Sequence, residues 1–345
     1  MAIQTAELLA QQYNCNITLA YHSRELEAGK QWVEKCVHHI VVQSEKKDAK
    51  AQILLNVSFD MIHLIDFVSK DFLELGIELK SCMEVPLVVT PATDYSLWEC
   101  VKTGKMILKA ADAVIALHEP EMRFFQELIP SVAERTFIVK HGINIPHIKK
   151  SNFRELYGIP MDAPIVLFIG RKLSTKGYEY ILKAAPFIWR EVPLTHFVFA
   201  GPDTADSRKR FNNLKEEGRI INLGFIMEET KQAALAACDI FCLPSTVDVF
   251  PLVFLEAWSY QKPVVASQSK GIEEVVRHEK DGLVTNPDER HVAEVILHLI
   301  KRRDERTRLG LNGRKKVEQE HSWKTIANQI LDIYRGCISK KERMT

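Results

Sequence analysis

The sequence predicts an α/β protein built from two doubly wound domains, and three observations carry that expectation. From Ile165 onward, short β-branched or aromatic runs alternate strictly with amphipathic segments of helical length, the pattern of βαβ units around a parallel sheet. The first half repeats the alternation less cleanly. The length of 345 residues, at roughly 100–200 residues per domain, favours two domains and allows a cleft between them.

Taken in order, Ile3, Ala6, Leu9 and Ala10 open the chain at helical spacing, and the first strand-like run, Asn16–Tyr21, comes only afterwards. A βαβ unit starts with a strand, so the N-terminal domain is expected to lack its first strand and the turn that follows it. The next strands are expected at Ala51–Phe59, Pro86–Pro91, Asp112–Leu117 and Thr136–Gly142. Pro146, Lys149, Lys150 and Ser151 then interrupt the apolar pattern as a linker does, which places the domains at 1–148 and 149–322. The second domain is expected to use Ile165–Gly170, Thr195–Gly201, Arg219–Phe225, Asp239–Ser245, Lys262–Ser267 and Gly282–Thr285 as strands. A final helix over 323–340 is expected to pack back on the first domain.

Composition excludes several classes of function. Lys+Arg 46 against Asp+Glu 45 leaves a net charge of +1, and no interleaved aromatic and basic pattern supports nucleic-acid binding. Met1–Ile145 holds 14 basic and 19 acidic residues, net −5, against 32 and 26, net +6, in the remainder. A small anionic ligand therefore suits the C-terminal half, whereas the acidic first half argues against docking on anionic lipid. Cys 7 is an odd count; Cys15, Cys36, Cys82, Cys100 and Cys337 fit no CxxC spacing, and Cys238 and Cys242 flank apolar residues, as buried thiols do. No metal site is expected. No run approaches the ~20 apolar residues of a membrane span and no signal-peptide pattern opens the chain. The expected location is the cytoplasm, with a peripheral contact at the membrane face as the remaining alternative.

Two segments carry chemistry. Ile165–Gly177 ends a buried strand on Gly170 and sets Arg171 and Lys176 in a loop leading into a helix, where free N–H groups and two cations suit a diphosphate; an ordinary solvated loop reads the same way. In Leu243–Ser267, Asp248 and Glu256 are separated by seven residues, with Pro251 expected as the first helical residue. The acids can meet two hydroxyl-bearing parts of one ligand, or Asp248 can cap the helix while Glu256 is solvated.

GRKLSTKG, then DVFPLVFLEAWSYQKPVVAS about seventy residues on, then GIEEVV and DGLV, resemble the retaining GT-B glycosyltransferases of family 4, glycosyl transferases group 1. The resemblance continues upstream through FDMIHLID, PLVVTPATDYSLW, ADAVIAL and VKHGIN, and downstream to NGRKKVEQEHSW, in the right order over nearly the whole chain. It implies a GT-B fold, two Rossmann-like domains facing a central cleft, and transfer of a hexose from a UDP-, GDP- or ADP-sugar to a hydroxyl acceptor with retention. No cofactor or metal is required, because Arg171 and Lys176 would hold the donor diphosphate and neutralise it as it leaves. Glu256 would accept from the ribose hydroxyls and Asp248 would meet the transferred sugar. Backbone amides of Phe250, Pro251, Leu252 and Val253 would serve as the contact to sugar and phosphate, proline contributing position only. Gly142 and Gly170 would let the backbone approach the donor, and Phe225 and Ile226 would lie near the base.

Four departures from the family pattern bear on activity. Asp248 stands where the family usually has Glu, and Pro251 where Gly is commoner. Thr93 and Asp94 replace an expected His on the acceptor side, and the first strand with its Gly-rich loop is missing. They support a second reading: a catalytically impaired GT-B homologue that binds nucleotide sugar or a partner protein. Elsewhere, His38 and His39 lack further ligands at metal spacing, His63 is expected to end a buried strand, and 102–105 shares only the composition of a phosphate loop.

Overall fold

The computed structural model describes residues 2–21, 30–41, 58–93, 95–148, 151–214, 217–247, 251–269 and 272–343. The chain divides into two compact units, Met1–Gly142 with His321–Thr345, and Ile143–Glu320.

In the first unit, α1 (Ala2–Tyr13) leads into β1 (Ile17–Tyr21), followed by a hairpin of β2 (Gln31–Glu34) and β3 (Val37–Val41). β2 is an element that sequence reasoning missed. Its turn is Lys35–Cys36, both at positive φ (48° and 66°), a conformation normally signalled by Asn or Gly. β1 pairs parallel with β3, giving a three-stranded sheet in the order β1-β3-β2. A second sheet, all parallel, runs β4 (Ile62–Ile65), β5 (Leu87–Thr90), β6 (Ala113–Ala116), β7 (Thr136–Ile138). The expected single N-terminal sheet is thus two sheets among the described residues. The strand expected at Ala51–Phe59 lies outside those residues except for Ser58 and Phe59, which are not in a strand.

Alternation sets the layers of the four-stranded sheet. Leu87, Val89, Val114 and Ala116 point to one face, against Leu73 of α2 (Lys70–Met83), Ile107 of α3 (Val101–Ala110) and Phe125 of α4 (Glu119–Leu128). Val88, Ala113 and Ile115 point to the other, where Leu9 of α1 meets Ile326, Ala327 and Ile330 from the C-terminal helix Trp323–Glu342. Burying each such Ile or Leu contributes roughly 1.5–3 kcal/mol, so the chain's last helix is part of this unit's core.

The second unit is one six-stranded parallel sheet. In chain order its strands are β8 (Ile165–Ile169), β9 (His196–Ala200), β10 (Ile220–Gly224), β11 (Ile240–Leu243), β12 (Val264–Ser267) and β13 (Gly282–Thr285). In space they run β10-β9-β8-β11-β12-β13. Its helices are α5 (Phe153–Leu156), α6 (Tyr178–Glu191), α7 (Ala205–Asn212), α8 (Glu228–Ala237), α9 (Leu252–Ser259), α10 (Ile272–Val275), α11 (Glu289–Lys301) and α12 (Arg303–Glu320). β8, β9, β11 and β12 are buried along their whole length, as strands covered on both faces must be. Cys238 and Cys242 are buried free thiols in this core.

Candidate functional site

The strand order of the second unit reverses direction between β8 and β11, and open α/β sheets bind ligands beyond the carboxyl ends of strands at that point. Two loops leave the sheet there, Gly170–Gly177 from β8 and Pro244–Val247 from β11. The backbone N–H of Thr246 donates to the Thr175 carbonyl at 2.8 Å, and Ser245 Oγ donates to the same carbonyl at 3.0 Å. Gly177 adopts φ +74°, and a Cβ on it would lie 2.0 Å from the Pro244 carbonyl oxygen. Glycine is therefore required where the two motif-bearing loops touch.

These contacts fix the cations differently. Arg171 is exposed, and Lys176 is half-buried at the end of a single 3-10 turn, Ser174–Lys176. Lys172 between them points inward. Its side chain is fully buried, with Nζ 2.6 Å from the Gly201 carbonyl and 3.1 Å from Asp203 Oδ1, over the Phe211 ring. Burial lowers its pKa, partly offset by Asp203. Lys172 ties the β8 loop to the end of β9. Gly201, at φ +120°, passes so close to Gly170 that a Cβ would sit 2.2 Å from the Gly170 oxygen. A Cβ on Gly170 itself would meet the Phe168 ring at 3.4 Å and Leu243 Cδ1 at 3.8 Å, ordinary contacts.

β10 ends beside them: Gly201 N–H donates to the Gly224 carbonyl at 2.7 Å. Phe225 follows, 74% exposed, while Ile226 packs on the core. An aromatic ring so exposed at a strand's carboxyl end is a face on which a planar ligand can stack.

α9 begins one residue later than expected. Pro251 is its N-cap, in extended conformation (ψ 98°), because a proline ring sets φ but not ψ. The amides of Leu252 and Val253 lie in the first turn and have no acceptor within the helix. Glu256, in the second turn, meets α8: Lys231 Nζ lies 2.7 Å from Glu256 Oε1 and 2.8 Å from Glu228 Oε2. Burial opposes charge on Lys231, but its hydrogen bonds to Glu228 and Glu256 prevail and raise its pKa; Glu228 is held low by the same contact against its own desolvation. Glu256 Oε2 is buried with no hydrogen-bond partner among the described residues. Such an oxygen calls for an O–H or N–H donor. Asp248 and Phe250 lie outside the described residues.

The remaining expected residues belong to the first unit. Gly142 has a packing reason, since a Cβ there would lie 2.4 Å from the Trp323 ring. Thr93 Oγ1 donates to Asp66 Oδ1 at 3.2 Å and to the Pro91 carbonyl at 3.0 Å, while Asp94 lies outside the described residues. His63 lies within β4 rather than at its end. It is clamped between Tyr334 OH (2.6 Å) and Thr90 Oγ1 (2.8 Å), and burial lowers its pKa to about 3. His39 is buried and stacks on Trp32. Among the described residues no group of three His, Cys, Asp or Glu could hold a metal ion, and no helix is long and apolar enough to cross a membrane.

Residues 149–316 match glycosyl transferases group 1. That stretch lies within the second unit and contains the two loops, α8 and α9 described above. The chain is 30% identical over 252 residues to the alpha-maltose-1-phosphate synthase of Mycolicibacterium smegmatis, covering 66% of this chain and 64% of that protein. It is 30% identical over 200 residues to an uncharacterized glycosyltransferase of Methanocaldococcus jannaschii, covering 56% of this chain and 50% of that one. The match thus spans half to just under two thirds of these relatives' length. A glycosyltransferase from Rickettsia africae superposes with TM-score 0.79 at 17% identity, over 97% of this chain and 93% of that one. Anabaena HepE, solved with UDP and glucose, superposes with TM-score 0.71 at 21% identity, over 87% and 86%. The fold is GT-B.

Lys231, Glu228, Lys172, Asp203, Gly177 and Gly201 are site residues that sequence reasoning missed. Only the Glu228–Lys231 spacing on one helix face was a local signal; the other relationships join residues far apart in the chain.

Proposed function

We propose that the protein is a retaining glycosyltransferase that moves a hexose from a nucleoside diphosphate sugar to a hydroxyl acceptor. The observation that carries the reading is the buried Glu256 Oε2, without a partner among the described residues: a ribose hydroxyl supplies a donor there, while Lys231 balances the carboxylate's charge through Oε1. Arg171, Lys176 and the first-turn amides of α9 take the diphosphate.

The chemistry uses these groups as follows. The bond between the anomeric carbon and the diphosphate oxygen breaks with its electron pair going to the diphosphate, and the cations and amides stabilise that charge. The acceptor oxygen bonds to the anomeric carbon on the face the diphosphate leaves, and its proton passes to a donor phosphate oxygen. Asp248, by its resemblance to the family pattern, orients the sugar, and Phe225 offers its face to the base.

Thermal stabilisation by UDP, GDP and ADP, followed by assays of sugar transfer and donor hydrolysis, tests the reading. Stabilisation by one nucleotide and turnover of its sugar is the expected result. Binding without turnover favours the catalytically impaired homologue, and stabilisation by none of the three removes the proposal.

A further inference from the structure

α9 is only eight residues long, yet it carries Glu256 and the first-turn amides of Leu252 and Val253. At about 3.6 residues per turn, positions two apart lie roughly 200° apart around a helix, so Phe254 and Trp258 share one face and Glu256 stands on the other. The face away from Glu256 is held by directional contacts as well as by packing. Trp258 is fully buried, and its indole N–H donates to the Asp281 carbonyl at 2.7 Å. Lys316 Nζ, on α12, lies 4.9 Å from the centroid of the Trp258 ring, within the range of a cation–π contact. Gly313, one turn earlier on the same face of α12, admits the ring: a Cβ there would lie 2.0 Å from Trp258 Cδ1.

Lys316 is itself buried. Its Nζ donates to the Val275 carbonyl and lies 3.5 Å from Asp281 Oδ2. Asp281, with no exposed surface, also accepts from the Arg277 backbone N–H at 2.8 Å and from Arg277 Nε at 2.5 Å. A third tie runs from Arg314 of α12 to the Ser259 carbonyl, at the carboxyl end of α9. Burying an ammonium beside a carboxylate costs desolvation that an apolar pair of similar size avoids. Apolar packing alone lets a short helix slide or turn, whereas an N–H···O bond holds a preferred distance and angle.

We propose that Lys316, acting through Trp258 and Asp281, is a positioning residue for donor binding. It fixes the rotation and the axial position of α9, and so sets where Glu256 Oε2 and the amides of Leu252 and Val253 meet the nucleotide. The inference rests on the donor site proposed above. Its contact with α9 is on the face opposite Glu256, so its effect on binding passes through the helix.

The test is a double-mutant cycle of Lys316→Met with Glu256→Gln, read by isothermal titration with whichever of UDP, GDP and ADP the parent binds best. Lys316→Met alone is expected to weaken binding about tenfold, and in the Glu256→Gln background by about threefold or less, because the contact it positions is already lost. A residue that merely supports the scaffold gives the same factor in both backgrounds, and that result overturns the proposal whatever the loss of stability. Failure of the parent to bind any of the three nucleotides removes the donor reading and this inference with it, whereas binding with equal factors removes this inference alone. If Lys316→Met does not fold, Trp258→Phe, which deletes the indole N–H and keeps an aromatic ring, takes its place in the cycle. Equal factors there overturn the proposal as well.

Discussion

Lys231 Nζ lies 2.7 Å from Glu256 Oε1, while the second oxygen of the same carboxylate is buried without a partner among the described residues. The two helices supplying this pair are separated by strand β11, so the ion pair sets where the spare oxygen sits. Both side chains are mostly buried, at 21% and 23% exposure, so the pair is shielded from the screening that weakens surface bridges.

Glu256→Gln keeps the shape of the side chain but replaces one acceptor oxygen with a donor. Affinity for the preferred nucleoside diphosphate is expected to fall by roughly 10- to 100-fold, in line with about 1–3 kcal/mol for a hydrogen bond to a charged group. Isothermal titration checks it, and unchanged affinity would remove Glu256 from the site.

Lys231→Met leaves Glu228 and Glu256 together without their cation. Stability is expected to fall by about 2–4 kcal/mol, because stranding a largely buried charge costs more than the pair contributes. Urea denaturation reads the loss, and the double variant Lys231→Met with Glu256→Leu is expected to recover part of it.

Neighbouring cations in the β8 loop are expected to separate two effects. Lys172→Met removes the bonds to Gly201 and Asp203 and lowers the melting temperature. Arg171→Ala, at an exposed position, leaves melting nearly unchanged but weakens nucleotide binding and flattens its salt dependence. Melting curves and titrations at two ionic strengths distinguish them; the opposite pattern would exchange the assigned roles.

Gly177→Ala forces a Cβ against the Pro244 carbonyl in a positive-φ position. The β8 and β11 loops must part, so both stability and nucleotide affinity are expected to drop, the former by about 1–3 kcal/mol. Loss of stability with intact affinity would show that the loop junction does not position the cations.

Acid is expected to weaken the first unit through its buried imidazoles. Burial lowers His63 to about 3 and, together with smaller opposing and reinforcing contacts, His141 to about 4, against an ordinary 6.5. Between those values and 6.5 the unfolded chain binds protons that the folded chain does not. Stability is therefore complete above pH 6.5 and falls as pH drops, by up to about 1.4 kcal/mol per pH unit for each group. Denaturation at pH 7 and 5.5 should show a shallower pH slope for His63→Asn than for the parent; an identical slope would contradict the buried, neutral imidazole.

Much of the second unit was legible in the sequence because its signals are local. β8, β9, β11 and β12 are continuous apolar runs bounded by Gly, Pro or Ser, and GRKLSTKG and DVFPLVFLE mark the two loops that meet at the strand-order reversal. The β2 strand was not legible, because Lys35–Cys36 turns without the residues that usually announce a turn. Pro251 was placed one position too deep, since proline suits both the first helical position and the cap before it.

By itself, the sequence determined an alternating α/β chain, the order of its motifs and the acid that ends the second one, since periodicity and spacing need only neighbouring residues. Only the tertiary structure decided that Lys172 turns inward onto Gly201 and Asp203, and that Glu256 leans on Lys231 through one oxygen while the other has no partner among the described residues. Each of these depends on which distant segments the fold brings within hydrogen-bond reach. Burial then fixes whether a charged or polar group is satisfied by the chain or left for a ligand.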